Sequence, residues 1–319
     1  MKHFFLKTSF DDFDQLSHAV HAWDLDFRQL DMGECKAELL QFANGNILLG
    51  NARFNRRIDQ RGSAPPENWT FAIFSAQSSS IIWHEQEIPN NSIIVYKPGS
   101  EIDCISRPGF EVYTLSFPED FLNEIGAKLG LAEIRKLVNG SDNFECDLRG
   151  LAVIRGKLHQ VVNAVNSGTS QIDTSSLMQS LDVELAEQIL LILSRSYPNK
   201  NTSTGLRKRA IQRTKAYLTD FPFETHTVSQ LCNIAGVSER TLQYAFLEHY
   251  GVSPKTYLKN IRLNGARREL WKSNPHVSRV NEVAGSWSFW HMGQFAKDYR
   301  KLFGELPSDT LKRGNYLSR

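Results

Sequence analysis

Arg240 and Gln243 stand one helical turn apart, with Glu239 and Tyr244 beside them. Arg carries a fork of donors that matches guanine in a major groove, and Gln carries the donor–acceptor pair that matches adenine. In "WSFWHMGQFAKDYRKLFGELP", residues 287–307, His291, Gln294 and Lys297 recur every three residues on one side of a helix. These seven residues are the candidate contacts to bases and phosphates. Covalent catalysis finds less support. No nucleophile–base motif and no phosphate-binding Gly loop occurs. Cys35, Cys104, Cys146 and Cys232 form no CxxC pair and no metal-ligand spacing, and Cys232 falls in an apolar helix phase that favours burial. His84 and Glu85 are adjacent in a strand-like run, which points their side chains to opposite faces. No second His lies at ligand spacing, so neither a metal nor a cofactor is expected.

The elements that carry the seven residues form a repeat. In "TLQYAFLEHYGVSP" (241–254) and "QFAKDYRKLFGELP" (294–307), Leu242 matches Phe295, Phe246 matches Tyr299, Tyr250 matches Phe303, Gly251 matches Gly304 and Pro254 matches Pro307, all offset by 53. Apolar residues at i, i+4 and i+8 predict a helix with a buried stripe, closed by a Gly suited to a left-handed cap. A shorter helix precedes each. The first has Thr227 and then Ser238 as caps around Val228, Leu231, Ile234 and Ala235-Gly236; the second has Ser278 as cap, Val280, Val283 and Ala284-Gly285. The Ala-Gly pairs are offset by 49, so the second turn is about four residues longer. Each pair predicts a helix-turn-helix. Phe295, Tyr299, Leu302 and Phe303 are the expected buried back of the second unit, with Phe289 anchoring its turn.

Charge divides the chain at the same place. From 206 onward 19 Lys/Arg stand against 9 Asp/Glu, and the rest holds 18 against 26, which together give the net +2. A basic half points to a polyanionic partner. "SYPNKNTSTG", residues 196–205, is the expected linker, which gives domains 1–198 and 206–319 separated by 199–205. Before it, "NILLGNARF", "WTFAIFS", "SIIWHEQ", "NSIIVYK", "EIDCIS" and "FEVYTLSF" predict short strands of a β-barrel or sandwich, followed by helices. The overall class is α+β. In the last of those helices Leu177, Leu181, Leu185, Ile189 and Ile192 make one face, expected to pair with a second chain, with packing inside the chain as the alternative. "RFNRRIDQRGSAPP" places Arg53, Arg56, Arg57 and Arg61 in an acidic region; an anionic ligand, an interdomain contact and plain pairing with nearby acids all fit. Trp69, Phe71, Trp83 and Tyr96 fit either a ligand cavity or a core. The opening MKHFFLKTSFDD lacks the apolar core of a signal peptide and no run is long enough to span a bilayer, so a reduced cytoplasmic protein is expected.

Residues 206–315 resemble the DNA-binding domain of AraC/XylS-type transcription regulators. The resemblance rests on the two units, the connector "YLKNIRLNGARREL" within 254–271, and the ending F-G-x-x-P. The wording "FWHMGQFAKDYRKLFGELPS" is most similar to the subgroup that includes the ethanolamine-utilisation regulator. Ser288 departs from the family's usual Gly, and Gly293 stands where a polar side chain is common. The resemblance implies a DNA-binding activator with double-stranded promoter DNA and a second copy as partners. It also implies an N-terminal effector domain with a cupin-like barrel for a small molecule. The alternative is a cupin-like enzyme or a DNA-repair protein with a similar DNA-binding module.

Overall fold

Alternation of apolar side chains along the N-terminal strands builds three layers. The computed structural model describes residues 4–10, 16, 19–20, 22–167, 180–198, 205–221, 224 and 226–314. Its strands are β1 (Phe4–Phe10), β2 (Asp24–Gln29), β3 (Ala37–Asn44), β4 (Ile47–Phe54), β5 (Ile58–Ser63), β6 (Asn68–Phe74), β7 (Ile81–Trp83), β8 (Gln86–Ile88), β9 (Ser92–Tyr96), β10 (Glu101–Ser106), β11 (Phe110–Pro118), β12 (Asn143–Glu145) and β13 (Tyr197–Pro198). One antiparallel sheet runs β1-β3-β4-β11-β6-β9-β12-β13, the other β2-β5-β10-β7-β8. Successive residues point to opposite faces of a strand. Leu39, Ala72 and Phe74 therefore meet Phe27, Ile58 and Cys104 of the small sheet, while Leu40, Phe71 and Ile73 turn to the helical layer. Burial on both faces explains why "WTFAIF" and "SIIVY" are continuous apolar runs.

The helical layer holds α1 (Glu119–Lys128), α2 (Ile134–Val138), α3 (Leu148–Ser167) and α4 (Leu181–Ser194). Here one expectation is overturned. Leu181, Leu185 and Ile189 are fully buried inside the chain, packed with α1, α3 and the large sheet. The large sheet offers a whole apolar face, and covering it takes the stripe that was expected to pair two chains. Leu177 lies outside the described residues, as do 199–204 of the expected linker. Tyr197–Pro198, just before the expected linker at 199–205, pairs with β12. A second correction concerns His84 and Glu85. They form the two-residue turn between β7 and β8, at φ +43° and +61°, and are not strand residues.

The C-terminal half is helical: α5 (Leu206–Asp220), α6 (Val228–Ala235), α7 (Glu239–Tyr250), α8 (Pro254–Lys272), α9 (Val280–Ser286), α10 (Met292–Phe303) and α11 (Pro307–Gly314). The chain is thus mixed α+β, a strand-rich N-terminal domain followed by a helical one. Connector α8 packs on β2 and carries Leu258 into one apolar cluster and Leu263 and Leu270 into another. Among the described residues no helix is long and apolar enough to cross a membrane.

Candidate nucleic-acid interface

Local capping chemistry places the first unit. Thr227 Oγ1 accepts from Gln230 N–H at 3.2 Å, while Gln230 Oε1 accepts from Thr227 N–H at 2.8 Å, which starts α6 with a reciprocal cap. Ser238 Oγ then accepts from Thr241 N–H at 3.3 Å and starts α7. Leu242, Ala245, Phe246 and Tyr250 form the buried back of α7. Ile234, expected in the core, is 39% exposed.

On the front of α7, Glu239, Arg240, Gln243 and Tyr244 are all exposed. Two guanidinium groups approach the Tyr244 ring, Arg207 at 5.4 Å and Arg240 at 5.8 Å. Such contacts restrict the long Arg240 side chain before any partner arrives. Arg207, at the start of α5, also pairs with Glu248 at 3.1 Å. It was not singled out from sequence, although the basic run "LRKR" offered a signal.

The second unit is built alike. Glu282 Oε2 accepts from Arg279 N–H at 3.1 Å, so α9 begins one residue beyond the expected Ser278 cap. Phe289 packs tilted against Phe295 at 4.9 Å, with the Arg262 guanidinium over its ring at 4.9 Å. Phe295, Tyr299, Leu302 and Phe303 are buried, while His291, Gln294 and Lys297 are exposed. Burial pushes the Asp298 carboxyl up, but hydrogen bonds from Lys259 and Gln294 hold it below its usual range. Gly293 faces open space, and Trp290, not singled out from sequence, is 77% exposed in the turn just before α10.

Ser288 adopts φ +61° in the turn before α10. A left-handed conformation costs an L-residue about 1–2 kcal/mol. Ser288→Gly removes that strain but adds freedom to the unfolded chain. A net gain of about 0.5–1 kcal/mol is expected, read as a raised thermal midpoint; a lowered midpoint would show that the Ser288 side chain matters more than its backbone.

Both α7 and α10 point their N-terminal halves outward. Their C-terminal ends are covered by the strand-rich domain: Gly251 at φ +73° lies against Arg57, and Gly304 at φ +82° lies against Glu34. A Cβ at either glycine meets both the wrong φ and an occupied space. The exposed N-terminal ends carry the positive end of each helix dipole, which suits phosphate.

The four arginines do not converge on one anion site. Arg53 pairs with Glu111 at 2.8 Å and Glu38 at 3.6 Å within the sheet. Arg56 Nε donates to Glu34 O at 2.9 Å. Arg57 and Arg61 reach the helical domain, Arg61 by donating to the Tyr257 hydroxyl at 3.1 Å while it pairs with Asp59 at 3.2 Å. Between the two sheets lies a cavity of about 70 Å³, lined by Phe27, Gln41, Asn51, Gln60, Tyr96 and Cys104 among others, with no charged side chain. Of the four aromatic residues considered, only Tyr96 lines it; Trp69 and Phe71 face the helical layer, and Trp83 packs behind Tyr96 at 5.2 Å. Burial pushes the Cys104 thiol up, which opposes thiolate chemistry there. Among the described residues no group of three metal-binding side chains occurs.

Two helix-turn-helix units on one connecting helix define a DNA-binding protein. A helix-turn-helix domain family matches residues 231–313. XylDLEGF operon transcriptional activator 2 of Pseudomonas putida is 32% identical over 127 residues, covering 40% of this chain and 80% of that protein. The probable thc operon regulatory protein of Rhodococcus erythropolis is 30% identical over 198 residues, covering 60% of this chain and 57% of that one. A solved probable AraC family transcriptional regulator from Rhodopseudomonas palustris CGA009 shares 34% identity over 33% of this chain and 96% of its own, with a TM-score of 0.30. The chain spans about half the length, or less, of the first curated relatives it matches. The chain belongs to the AraC/XylS family of DNA-binding transcription regulators.

Proposed function

We propose that this chain is a sequence-specific activator that reads double-stranded promoter DNA through α7 and α10. The observation that carries this is the pair of helices with apolar backs locked in a core and polar fronts open at their N-terminal halves. Glu239, Arg240, Gln243 and Tyr244 read bases with the first unit. His291, Gln294 and Lys297 serve the second, where Gly293 supplies no side chain and backbone contacts dominate. The two helices enter successive major grooves, with contacts about one turn, roughly 10 base pairs, apart.

On the same basis the chain has domains 1–198 and 206–319 with a linker at 199–205, a cytoplasmic setting, and a cupin-like barrel that holds a small effector. The uncharged cavity between the sheets supports an uncharged effector, because a charge there has no partner to offset its desolvation. Strand β2 joins that cavity to α8, since Leu25 and Phe27 line it while Arg268 of α8 pairs with Asp26. The similarity of "FWHMGQFAKDYRKLFGELPS" to the ethanolamine-utilisation regulator subgroup supports that placement within the family. A homodimer stays in the proposal, through residues other than the buried stripe; light scattering with and without duplex tests it.

The decisive test separates reading from positioning. Duplexes are selected from a random pool, and variants are measured on single-base changes at several salt concentrations. Arg240→Ala should lose about 1–3 kcal/mol on the preferred duplex and relax one or two positions. Lys297→Ala should weaken all duplexes evenly and lower the salt slope by about one. Full base preference in Arg240→Ala with lost preference in Lys297→Ala would reverse the assignment.

A further inference from the structure

Helix α10 ends at Gly304, whose N–H returns to the Arg300 carbonyl at 2.9 Å. The carbonyls of Lys301 and Leu302 lie in the last turn, beyond the reach of the helix's own N–H groups. The strand-rich domain supplies the missing donors. Gly33 N–H donates to Lys301 O at 3.2 Å and to Leu302 O at 3.1 Å. Gln29, at the end of β2, donates from Nε2 to Leu302 O at 2.7 Å, across 273 residues of sequence.

The same Nε2 lies 2.8 Å from Asp31 O and 2.6 Å from Gly33 O, so its two hydrogens are shared among three carbonyls. Three carbonyls around one atom admit only the donor end of the amide. Its other end, Oε1, is buried without a hydrogen-bond partner among the described residues. An apolar side chain of similar shape would carry no such orphan. The position therefore tolerates an unsatisfied acceptor in order to present its donors. The backbone of Gln29 is held as tightly. Its N–H donates to Asn264 Oδ1 at 2.9 Å, and its carbonyl accepts from Asn264 Nδ2 at 3.0 Å. One residue of the strand-rich domain thus touches both the connector α8 and the end of α10.

We infer that Gln29 is a positioning residue for DNA reading: it caps the second recognition helix from the other domain and sets the angle of that helix against the connector. This rests on α10 being a reading helix, as proposed above. A contact that only stabilises the fold alters the melting point and weakens every duplex alike. A contact that aims α10 alters which base pairs the second unit prefers. Linkage requires the converse as well, so DNA seated on α10 tightens the cap.

The full chain and its preferred duplex, selected from a random pool, give the test. Gln29→Met keeps the side-chain length and removes the donors. The folded variant should bind the preferred duplex about tenfold more weakly. Its loss of preference should fall on the base pairs that Gln294→Ala relaxes and spare those that Arg240→Ala relaxes. An even loss on all duplexes, or no loss, overturns the role. Should Gln29→Met fail to fold, hydrogen exchange on the unmutated protein decides. The Gly33 amide should slow on the preferred duplex but not on one scrambled in the second unit's half. Equal slowing on both, or none on either, overturns the role. A pool that yields no preferred duplex for the unmutated protein overturns the base-reading function itself and this role with it. That failure is distinguishable because it precedes any variant.

Discussion

Arg61→Ala should destabilise the protein by about 3–5 kcal/mol at neutral pH, because it strands a buried carboxylate. The Asp59 side chain is 1% exposed and pairs with Arg61 at 3.2 Å. Tyr257 of α8 donates its hydroxyl to Asp59 at 3.3 Å. The pair thus sits in the seam between the two domains. Burial pushes the Asp59 carboxyl up, but Arg61, followed by Arg28, outweighs it and holds the carboxyl below its usual range. A lowered carboxyl contributes stability above its unfolded value, and that stability is lost as the pH falls through the lowered value. In Arg61→Ala desolvation prevails and the carboxyl rises. The penalty of the variant should then shrink as the pH falls through the raised value of the variant, because the folded variant protonates Asp59 there and no longer buries an unpaired charge. Asp59→Asn added to Arg61→Ala should recover much of the loss. Urea unfolding at about pH 7 and about pH 4 checks both points. A neutral-pH loss below about 1 kcal/mol would mean that the pair behaves as an exposed one.

Leu185→Ala should cost about 2–5 kcal/mol, and Leu185→Glu should prevent the strand-rich domain from folding. Leu185 is fully buried, with Leu181 and Ile189 on the same face of α4, against α1, α3 and the large sheet. A carboxylate there has no partner and no water. Circular dichroism melting and light scattering follow both variants. A folded, soluble Leu185→Glu would show that this face lies on the surface after all.

The two variants differ in how far the sequence foretold them. The apolar stripe of α4 is legible at helical spacing, since Leu181, Leu185 and Ile189 fall four residues apart. Which surface covers it is not, because amphipathicity specifies a buried face without naming its partner. The Arg cluster shows the same limit. Composition marks Arg53, Arg56, Arg57 and Arg61 as unusual in an acidic region, but their destinations depend on strand register. β5 pairs with β10 and β2, and that pairing sends Arg61 toward Tyr257, while Arg53 on β4 faces Glu111 of β11. The turn at His84-Glu85 is not legible because it lacks the Asn-Gly or Asp-Gly pair of a two-residue hairpin loop, and Glu85 is not a usual left-handed former.

What the sequence alone determined is the pair of helix-turn-helix units. Thr227 and Ser238 cap their helices through partners three residues on, Gly251 and Gly304 close theirs, and the stripe from Phe295 to Phe303 recurs every turn. Such signals act within one or two turns of helix, so order along the chain suffices to find them. The tertiary structure decided what covers the ends of those helices. Arg57 beside Gly251, and Gln29 on Leu302, join residues that no local pattern connects. Their meeting depends on how two domains pack, and packing follows from the whole set of buried surfaces.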